Sequence, residues 1–536
     1  MDAILNIKLT EFMMIQELFN SLPKRFRADY SKDFKGVFHF DLSGKEAAQF
    51  TVSIENCSCK VESGLIGQPD CYVKTDSMLH IAIESGKTNA QWAYMTGKVK
   101  VSNIANMMKY LKLFKKYDQS QTASIEESEK PPLKETQTET NKENKGPLLG
   151  IRILDLSRLL PGPLASMLLA DWGAEVIKIE DPDFPDETRN YPPFVGNQSV
   201  YYLAVNRSKK SLSLNLKSAE GKEIFFKLIK SADIVIESFR PDVLKKIGVD
   251  YEVASALNPQ IIYVSVTGYG QDGEMRSKAG HDINYIGLSG ILDENKSENG
   301  QPVIPGFQIA DIAGGSYMTV ISCLLALQNR KLTGTGDQID VSMLDACLPL
   351  MSLAFANYFA DTKNSTKDSF GFLSGQIPNY NLYQCKDGKW LALGALEPKF
   401  WAEFCRFINR PDWVNAILPN SEISKEVKTA LKKLFELKTR KDWIAEASEF
   451  EICLTPVQSI PEVVNNVQFK HRNMFRQHFH SEYGSVTTIN QPLKFQTAKL
   501  SDGWAPPLLG EDTNSILTSI GLSIEQIELL RNQGVI

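Results

Sequence analysis

One segment divides this chain of 536 residues before any fold is considered. Between Tyr117 and Leu148 the sequence has no aromatic residue and few aliphatic ones, and Glu, Lys, Thr, Ser, Gln and Asn dominate it. Such a segment cannot bury enough apolar surface to offset the conformational entropy that is lost on folding. The sequence therefore predicts two folded parts, residues 1–117 and 148–536, joined by a disordered linker at 118–147.

Charge and composition limit the classes of function. The 59 Lys and Arg residues against 64 Asp and Glu give a net charge of −5, so no electrostatic feature predicts binding to nucleic acid. The eight cysteines are scattered, and the close pair Cys57 and Cys59 lacks the spacing of a zinc site or a redox motif. We therefore expect no metal, and we expect a reduced, cytoplasmic protein.

Neither a secretory signal nor a transmembrane segment is predicted. Charged residues interrupt the N-terminal run MDAILNIKLTEFMM, and no stretch of 18 apolar residues occurs. The best candidate for a membrane span, residues 314–330, is too short and ends in polar residues. It predicts a buried helix of a large domain.

The first folded part has the pattern of an α+β domain. Apolar and polar residues alternate in GVFHFDLSG, QFTVSIEN and CYVKTD, as in half-buried strands, and a helical pattern precedes them in FMMIQELFNSLPKRF. Strands in succession with helices at the ends predict a layered α+β fold.

This part resembles the lipid-binding domain of the sterol carrier protein family over about residues 8–116. The matching features follow in order: Asp70-Cys71 opening a strand, Ser85-Gly86-Lys87, Asn89-Ala90-Gln91, and Gly97-Lys98 before the last strand. The resemblance implies a five-stranded sheet and helices around an apolar tunnel that carries a lipid or a fatty acyl chain. Single lipid contacts stay open, because an apolar stripe at helical spacing is equally typical of a core; that stripe is Ile104, Met107, Met108 and Leu111.

The second folded part has the pattern of an α/β domain. Apolar strands IRILDL, EVIKIE, ADIVIES and IIYVSVTG alternate with helical segments. This alternation predicts a doubly wound parallel sheet of Rossmann type with ligands at the carboxyl ends of its strands. Further along, Asp387-Gly388 separates two alternating strands as a hairpin turn, within a smaller α+β region at about 375–490.

Polar groups follow several apolar segments. His281 and Asp282 stand in KAGHDINY, Asp311 stands in QIADIAGG, and Glu397 follows the second hairpin strand. Gly268, Gly270 and Gly273 satisfy GxGxxG, but no helical pattern follows them, so a dinucleotide site is not predicted. A loop histidine bonded to its neighbour is one interpretation of His281; the other is a convergent acid/base site with Asp311 and Glu397.

The second part resembles family III CoA transferases (CaiB/BaiF) over nearly all of 148–536. The similarity is carried, in order, by LPGPLASMLLADWGAEVIKIE, NRSKKSLSLNLK, SFRPDVLKKIG, GHDINYIGLSG, ADIAGG and GALEP. Within the family these segments are most similar to α-methylacyl-CoA racemases. The resemblance implies a Rossmann-like large domain, a small domain and an interlocked homodimer.

The resemblance also implies roles for the polar residues. Transferases of this family use an aspartate at the position of Asp311 as a nucleophile, whereas racemases add the histidine of GHDINY. We therefore expect an isomerase that inverts the 2-position of 2-methylacyl-CoA thioesters with His281 and Asp311 as two bases. Asp282 and Glu397 are expected to orient His281 and close the site. The alternative is a CoA transferase that acts through an adduct at Asp311.

Coenzyme A enters as part of the substrate, and no further cofactor is implied. Cations and backbone groups must meet its phosphates. The family positions match Asn206, Arg207, Lys210, Leu214, Asn215, Leu216, Lys217, Arg240, Gly280 and Tyr285. One departure keeps the transferase alternative open, because Glu180-Asp181 stand where animal racemases have an arginine.

Overall fold

In a computed structural model, the chain forms two compact units, Met1–Thr138 and Glu139–Ile536. The structure describes residues 15–16, 18–27, 34–44, 47–55, 57–84, 98–103, 106–107, 109–110, 113–114, 146–297, 299–360, 373–416 and 421–536. Outside these ranges lie most of the predicted linker, the sterol carrier features at 85–91 and Gly97, and three residues of the apolar stripe, Ile104, Met108 and Leu111. The linker and its boundaries therefore stay predictions.

The first unit is built on a five-stranded sheet with the order β3-β2-β1-β4-β5. Its described elements are β1 (Gly36–Ser43), β2 (Ala48–Glu55), β3 (Ser58–Ser63), β4 (Cys71–Asp76), β5 (Val99–Val101), α1 (Leu22–Arg25) and α2 (Ser77–Glu84). β1 and β4 are parallel, and the other pairs are antiparallel.

One face of this sheet is buried, as the alternating pattern predicts. Phe38, Phe40 and Leu42 of β1 are each at most 1% exposed and pack in one core with Phe50 and Val52 of β2. Aromatic rings fill much of that core, and Phe19 stacks on Phe50 at 4.0 Å between ring centroids. The predicted α+β architecture of this unit is confirmed.

The second unit contains a six-stranded parallel sheet with the order β10-β7-β6-β11-β12-β13. Its strands and the small hairpin β8-β9 are β6 (Arg152–Asp155), β7 (Glu175–Glu180), β8 (Phe194–Val195), β9 (Gln198–Ser199), β10 (Lys209–Ser213), β11 (Ile234–Glu237), β12 (Ile262–Thr267) and β13 (Asp337–Ser342). β11 and β12 are buried at every position, because helices cover both faces of a parallel sheet.

Helices separate the strands and extend beyond the sheet. The α-helices of this part are α3 (Pro161–Ala170), α4 (Val200–Val205), α5 (Ala219–Ile229), α6 (Val243–Ile247), α7 (Tyr251–Leu257), α8 (Asp282–Leu288), α9 (Ile291–Glu294), α10 (Met318–Thr333) and α11 (Ser352–Ala360). A π-helix, Ala310–Tyr317, runs directly into α10. Short 3₁₀ turns occur at Glu187–Asn190 and Asp345–Met351.

The order of the strands creates a crevice at one edge of the sheet. From β6 the chain proceeds to β7 and β10 on one side, and later to β11, β12 and β13 on the other. The segments that follow β6 and β11 therefore diverge, and such a switch point is where doubly wound sheets bind ligands. The predicted α/β class is confirmed.

A smaller α+β part follows. It contains the three-stranded sheet β14 (Tyr380–Gln384), β15 (Trp390–Gly394) and β16 (Leu454–Pro456), and the hairpin β17 (Phe475–His480) and β18 (Gly484–Ile489). Its helices are α12 (Pro398–Phe407), α13 (Glu422–Phe435), α14 (Arg440–Glu446), α15 (Ile460–Asn465) and α16 (Val467–His471). The last two helices, α17 (Thr513–Ser519) and α18 (Ile524–Asn532), pack against the large sheet. Two 3₁₀ turns, Pro411–Trp413 and Ala447–Glu449, complete it. Trp401, Phe404 and Phe435 form its aromatic core.

The predicted buried helix at 314–330 is longer and more exposed than expected. The π-helix and α10 form one helical segment, Ala310–Thr333, with Cys323 and Leu327 in the core. On its other face Ile321 and Leu325 are 45% and 66% exposed. Among the residues that the structure describes, this is the one helix that by length and composition alone is able to span a membrane.

Candidate active site

His281 and Asp311 lie at the starts of two adjoining helices. His281 caps α8, and Asp311 lies in the first turn of the π-helix. The Asp282 carboxylate joins the two starts, because its Oδ1 accepts hydrogen bonds from the backbone N–H groups of Ala310, at 2.6 Å, and of Asp311, at 3.1 Å. The Asp282 side chain thus links two helix starts whose functional residues, His281 and Asp311, are thirty positions apart in sequence.

Small residues let the helix of Asp311 pack closely on its neighbours. A Cβ atom on Gly315 would lie 2.6 Å from Cβ of Pro161, and one on Gly314 would lie 2.9 Å from the carbonyl oxygen of Met343. Real side chains do not tolerate such approaches, so both glycines are required where they stand. The Ser316 hydroxyl donates to the Asp311 carbonyl at 3.2 Å, and the π turn that carries the carboxylate is fixed at both ends.

The surroundings of Asp311 favour its neutral form. Burial and, to a smaller extent, the negative charge of Asp282 raise the pKa of this carboxyl to about 6, against the opposing effect of His281. Because both neighbours act on the pKa of Asp311, His281 and Asp282 lie within electrostatic reach of its carboxyl group. A carboxyl group that titrates near neutrality is suited to proton transfer at physiological pH.

Tyr285 and two glycines form a wall beside this pair. Tyr285 is 4% exposed, and a Cβ atom on Gly268 would lie 2.3 Å from its hydroxyl oxygen. A Cβ atom on Gly280 would lie 2.6 Å from the hydroxyl oxygen of Tyr269, whose ring meets Tyr285 edge-on at 5.1 Å. Burial and the charge of Asp311 raise the pKa of the Tyr285 phenol, so this hydroxyl stays protonated.

Glu397 makes no described hydrogen bond or ion pair with the other three predicted catalytic residues. It caps α12 in the small part, it is exposed, and its charge raises the pKa of the Cys453 thiol. Asp282 also differs from expectation, because its described hydrogen bonds are to the backbone that carries Asp311.

Two cavities in the described part of this unit bear on the predicted site. One of about 160 Å³ lies at the carboxyl ends of β6, β7, β10 and β11, and its lining includes Leu214, Leu216, Lys217, Arg158, Asp181 and Phe239. The other, of about 740 Å³, lies over the three-stranded sheet beside Cys453, and none of His281, Asp282 and Asp311 lines it. The smaller cavity occupies the switch point, where a nucleotide-type ligand is expected.

The predicted coenzyme A residues divide into two groups. Leu214, Leu216 and Lys217 line the small cavity, and the Lys217 ammonium lies 3.3 Å from a carboxylate oxygen of Asp181. Asn215 fixes the same segment, because its side-chain oxygen accepts from the Lys217 N–H at 2.9 Å. Arg240 is exposed near Tyr285, since its charge acts on the pKa of that phenol.

Asn206, Arg207 and Lys210 have protein partners instead, and burial corrects the expected role of Asn206 and Arg207. Arg207 is 1% exposed, and its guanidinium forms a two-point ion pair with Asp171 at 2.6 and 3.0 Å. Asn206 is fully buried and accepts from the Lys209 ammonium at 2.7 Å, and Lys210 pairs with Glu175 at 2.6 Å. Arg207 and Asn206 are thus interior side chains and are not available to a phosphate.

A buried group of charges beneath the cavity was missed from the sequence. The ammonium groups of Lys178 and Lys209 are fully buried and pair with Asp186 at 3.1 Å and Asp155 at 3.0 Å. Lys209 also donates to the Pro163 carbonyl at 2.8 Å, in the turn that begins α3. The available signal was Lys178 itself, a lysine inside the apolar strand EVIKIE, because a charge in a buried strand needs a buried partner.

A doubly wound sheet with a cavity at its switch point, and a histidine near an aspartyl carboxyl group whose pKa is raised to about 6, are features of an enzyme site. Residues 148–513 match the sequence profile of CoA-transferase family III, and residues 17–115 match that of the SCP-2 sterol transfer family. The chain therefore belongs to CoA-transferase family III and carries an N-terminal SCP2 domain.

Relatives with two different activities resemble this chain to nearly the same degree. Mouse succinyl-CoA:glutarate CoA-transferase is 34% identical over 400 residues, which cover 73% of this chain and 90% of that protein. Human α-methylacyl-CoA racemase is 32% identical over 393 residues, which cover 73% of this chain and 97% of that protein. A CAIB/BAIF family protein from Brucella suis superposes with a TM-score of 0.62 at 30% identity, covering 70% of this chain and all of that one.

Proposed function

We propose that the second unit is an acyl-CoA isomerase that inverts the carbon next to the thioester of a 2-methylacyl-CoA. The observation that carries the proposal is that His281 lies within electrostatic reach of a buried Asp311 carboxyl whose pKa is raised to about 6. Inversion at the 2-carbon needs two groups that gain and lose protons near neutrality, and this pair supplies both.

Each turnover in this scheme moves two protons. One base of the pair removes the proton from the 2-carbon, the electrons move to the thioester oxygen to give an enolate, and the other group returns a proton to the opposite face. In one direction His281 is the base and Asp311 the acid, and in the other the roles exchange. One positioned acid/base group contributes about 10²–10⁴-fold, so the enolate oxygen must be stabilised as well. Backbone N–H groups of the loop at 268–273 are our candidates.

Coenzyme A is proposed to occupy the switch-point cavity, with Lys217 and Arg240 as the cations that meet its phosphates. Lys217 lines the cavity, and Arg240 follows β11 between the cavity and Tyr285. Asp181 competes for Lys217, and this contact differs from the arginine that animal racemases carry after the second strand.

A homodimer is proposed to complete the site. Large apolar side chains are exposed along the helical segment that carries Asp311 and along residues 345–360; they are Tyr317, Ile321, Leu324, Leu325, Leu348, Leu353, Tyr358 and Phe359. Monomeric proteins seldom expose large contiguous apolar areas. A second copy that covers these side chains is also able to bring its Glu397 to the His281–Asp311 pair, which explains why Glu397 makes no described contact with the pair within one chain.

The second candidate function is CoA transfer between carboxylic acids. It is favoured by the identity to the glutarate CoA-transferase, which is as high as the identity to the racemase. In that reaction ionised Asp311 attacks the thioester carbonyl and the coenzyme A thiolate leaves, giving an acyl-aspartyl anhydride. The thiolate then attacks the aspartyl carbonyl, which releases the donor carboxylate and leaves an aspartyl-CoA thioester. The acceptor carboxylate displaces the thiolate to form a second anhydride, and attack of the thiolate on the acceptor acyl carbon gives the new acyl-CoA and frees Asp311.

Isotope exchange separates the two functions. In D₂O an isomerase introduces one deuterium at the 2-position of a 2-methylacyl-CoA, and mass spectrometry detects one added mass unit. A transferase forms an adduct that hydroxylamine cleaves, with modification at Asp311. Exchange without any adduct supports the isomerase, and an adduct with no exchange refutes it.

The N-terminal SCP2 domain is proposed to hold the hydrophobic acyl chain near the site. A flexible linker gives a tethered ligand an effective concentration of about millimolar, so the gain is confined to dilute substrates with long chains. The exchange assay tests this when it is repeated with medium-chain and long-chain substrates on the intact chain and on its separated units. Equal turnover of dilute long-chain substrate by both preparations refutes the tether.

A further inference from the structure

A carboxyl group without a cation lies at the centre of the large sheet. Glu237 ends β11, is 4% exposed, and stands in register with Ser265 of β12. In the described ranges of the chain, no Lys, Arg or His forms a salt bridge with it. Burial of a carboxyl group without a cation lowers the stability of the folded state, and such groups are often found at functional sites.

Glu237 holds the turn that follows its own strand. Its Oε2 accepts the backbone N–H of Phe239 at 2.7 Å, and its carboxyl group also accepts a hydrogen bond from the side chain of Ser265. The hydroxyl of Ser238, in the same turn, accepts the N–H of Arg158 at 3.0 Å. The turn 237–240 is thus tied to β12 on one side and to the segment after β6 on the other.

This turn connects the cavity to the acid/base pair. The Phe239 side chain lines the switch-point cavity together with Leu156 and Lys217. The next residue, Arg240, lies close enough to Tyr285 for its charge to lower the pKa of that phenol, which Asp311 raises. A shift of the turn therefore moves a wall of the cavity and a cation beside the site at once.

We propose that Glu237 is a positioning residue: it fixes the turn that carries Phe239 and Arg240 in the geometry that receives the coenzyme A end of the substrate. The inference rests on the proposed function, because it takes coenzyme A as the occupant of the cavity. It adds a residue that contacts the turn and not the substrate.

The charge of Glu237 gives the proposal a second consequence. Three groups face its carboxyl: Tyr263 and Ser265 from β12, and Asp340 from β13. Burial, with a further contribution from Asp340, raises the pKa of Glu237 to about 7. Phosphates bound nearby oppose its ionised form, so coenzyme A affinity is expected to be higher below about pH 7 and to decline above it.

Three variants test the proposal: Glu237→Ala, Glu237→Gln and Ser265→Ala, with Glu223→Gln, an exposed acid on α5, as the matched control. Free coenzyme A is the probe, measured by isothermal titration calorimetry at pH 6 and pH 8, and exchange kinetics give KM and kcat. Glu237→Ala is expected to weaken coenzyme A and raise KM about 10-fold, the usual effect of losing one buried hydrogen bond to a charged group, while kcat changes less than about 2-fold.

Glu237→Gln distinguishes positioning from general stability. Its amide oxygen still accepts from Phe239, so affinity is expected to return. The change of affinity between pH 6 and pH 8 is expected to be smaller than in the wild type, because an amide does not titrate and only the other groups, such as the coenzyme A phosphate monoester, still do. Ser265→Ala leaves the Phe239 bond but removes the hydrogen bond that lowers the pKa of Glu237, so the decline of affinity moves to higher pH. If Glu237→Ala does not fold, the pH dependence of Ser265→Ala still tests the proposal.

Two results overturn the inference. Wild-type affinity in Glu237→Ala is one, and an unchanged pH dependence in both Glu237→Gln and Ser265→Ala is the other. Failure of the wild-type chain to bind coenzyme A at either pH is distinct, because it removes the proposed function together with the inference. The control Glu223→Gln is expected to match the wild type in every measurement.

Discussion

His281 and Asp282 are adjacent in sequence but make different contacts. His281 caps α8, and its charge lowers the pKa of the Asp311 carboxyl group. Asp282 instead accepts hydrogen bonds from the backbone at the start of the helix that carries Asp311. One dipeptide thus supplies both a proposed base and the link that places its counterpart.

Asp282→Asn is expected to move the acid limb of isotope exchange to lower pH. Exchange needs one proton on the His281–Asp311 pair, so activity falls when acid adds a second proton near the Asp311 pKa of about 6. The Asp282 charge raises that pKa, and an asparagine removes the charge while its oxygen still accepts the two N–H groups. The measurement is the exchange rate between pH 4.5 and 8.

Asp293→Asn removes an exposed charge on α9 and is the control for this shift. It is expected to leave the acid limb where the wild type has it. An acid limb that moves to higher pH in Asp282→Asn contradicts the electrostatic account of Asp311.

Sequence patterns identified individual residues unevenly. His281 and Asp311 stand out because a lone histidine and an acid follow apolar segments, and the structure brings them together; their catalytic roles stay predictions. The family resemblance assigns Arg207 to the coenzyme A site, and only the fold reveals Asp171 as its buried partner. A partner 36 residues away in sequence carries no local signal.

At the scale of elements, the close packing of the π-helix on α3 determines the position of the Asp311 carboxylate. The gap at Gly315 leaves no room for a methyl group, since its neighbour is the rigid ring of Pro161. α3 in turn begins at a turn held by the buried Lys209. The position of the carboxylate therefore depends on contacts that lie outside the site.

Gly315→Ala is expected to lower the exchange rate by about 10–100-fold while coenzyme A affinity is unchanged. The added methyl group displaces the helix start, and a misplacement of about 1 Å costs on the order of 10² in rate where reacting groups must be aligned. Gly306→Ala is the matched control, because no atom lies within 4 Å of the Cβ position there. Equal rates for the two variants contradict the role given to the packing.

The elements themselves were largely predictable. The strands of both sheets follow from apolar alternation or apolar runs, since those patterns express which faces are buried. The length of the helical segment Ala310–Thr333 was not predictable. Gly314-Gly315 is typical of a helix end, and only the packing against Pro161 and Met343 makes the helix continue through these two glycines.

At the scale of the whole molecule, the proposed homodimer, in which Glu397 of one chain meets Asp311 of the other, predicts complementation between chains. Asp311→Asn and Glu397→Gln are each expected to abolish or severely reduce exchange in homodimers. Co-expressed, they form mixed dimers in which one of the two sites has every residue intact, so about half of the wild-type rate per dimer is expected to return. The measurement is exchange by isolated mixed dimers that carry two different affinity tags.

A mixed dimer as inactive as its parents contradicts the use of Glu397 between chains. Sedimentation of the wild-type chain as a monomer at assay concentration contradicts the dimer itself. The division into two folded parts was open to sequence reasoning, because apolar content alone separates them, but association was inferred from family resemblance and has no pattern of its own.

The outward apolar face of Ala310–Thr333 and α11 has a consequence for how the protein is made. Before it joins the proposed homodimer, a newly folded chain exposes these apolar side chains to the surrounding solution, where chaperones and other nascent chains compete for them. The lifetime of the unassembled chain depends on how many other copies of the chain are released nearby. Translation of many copies from one message is thus expected to favour correct assembly over precipitation.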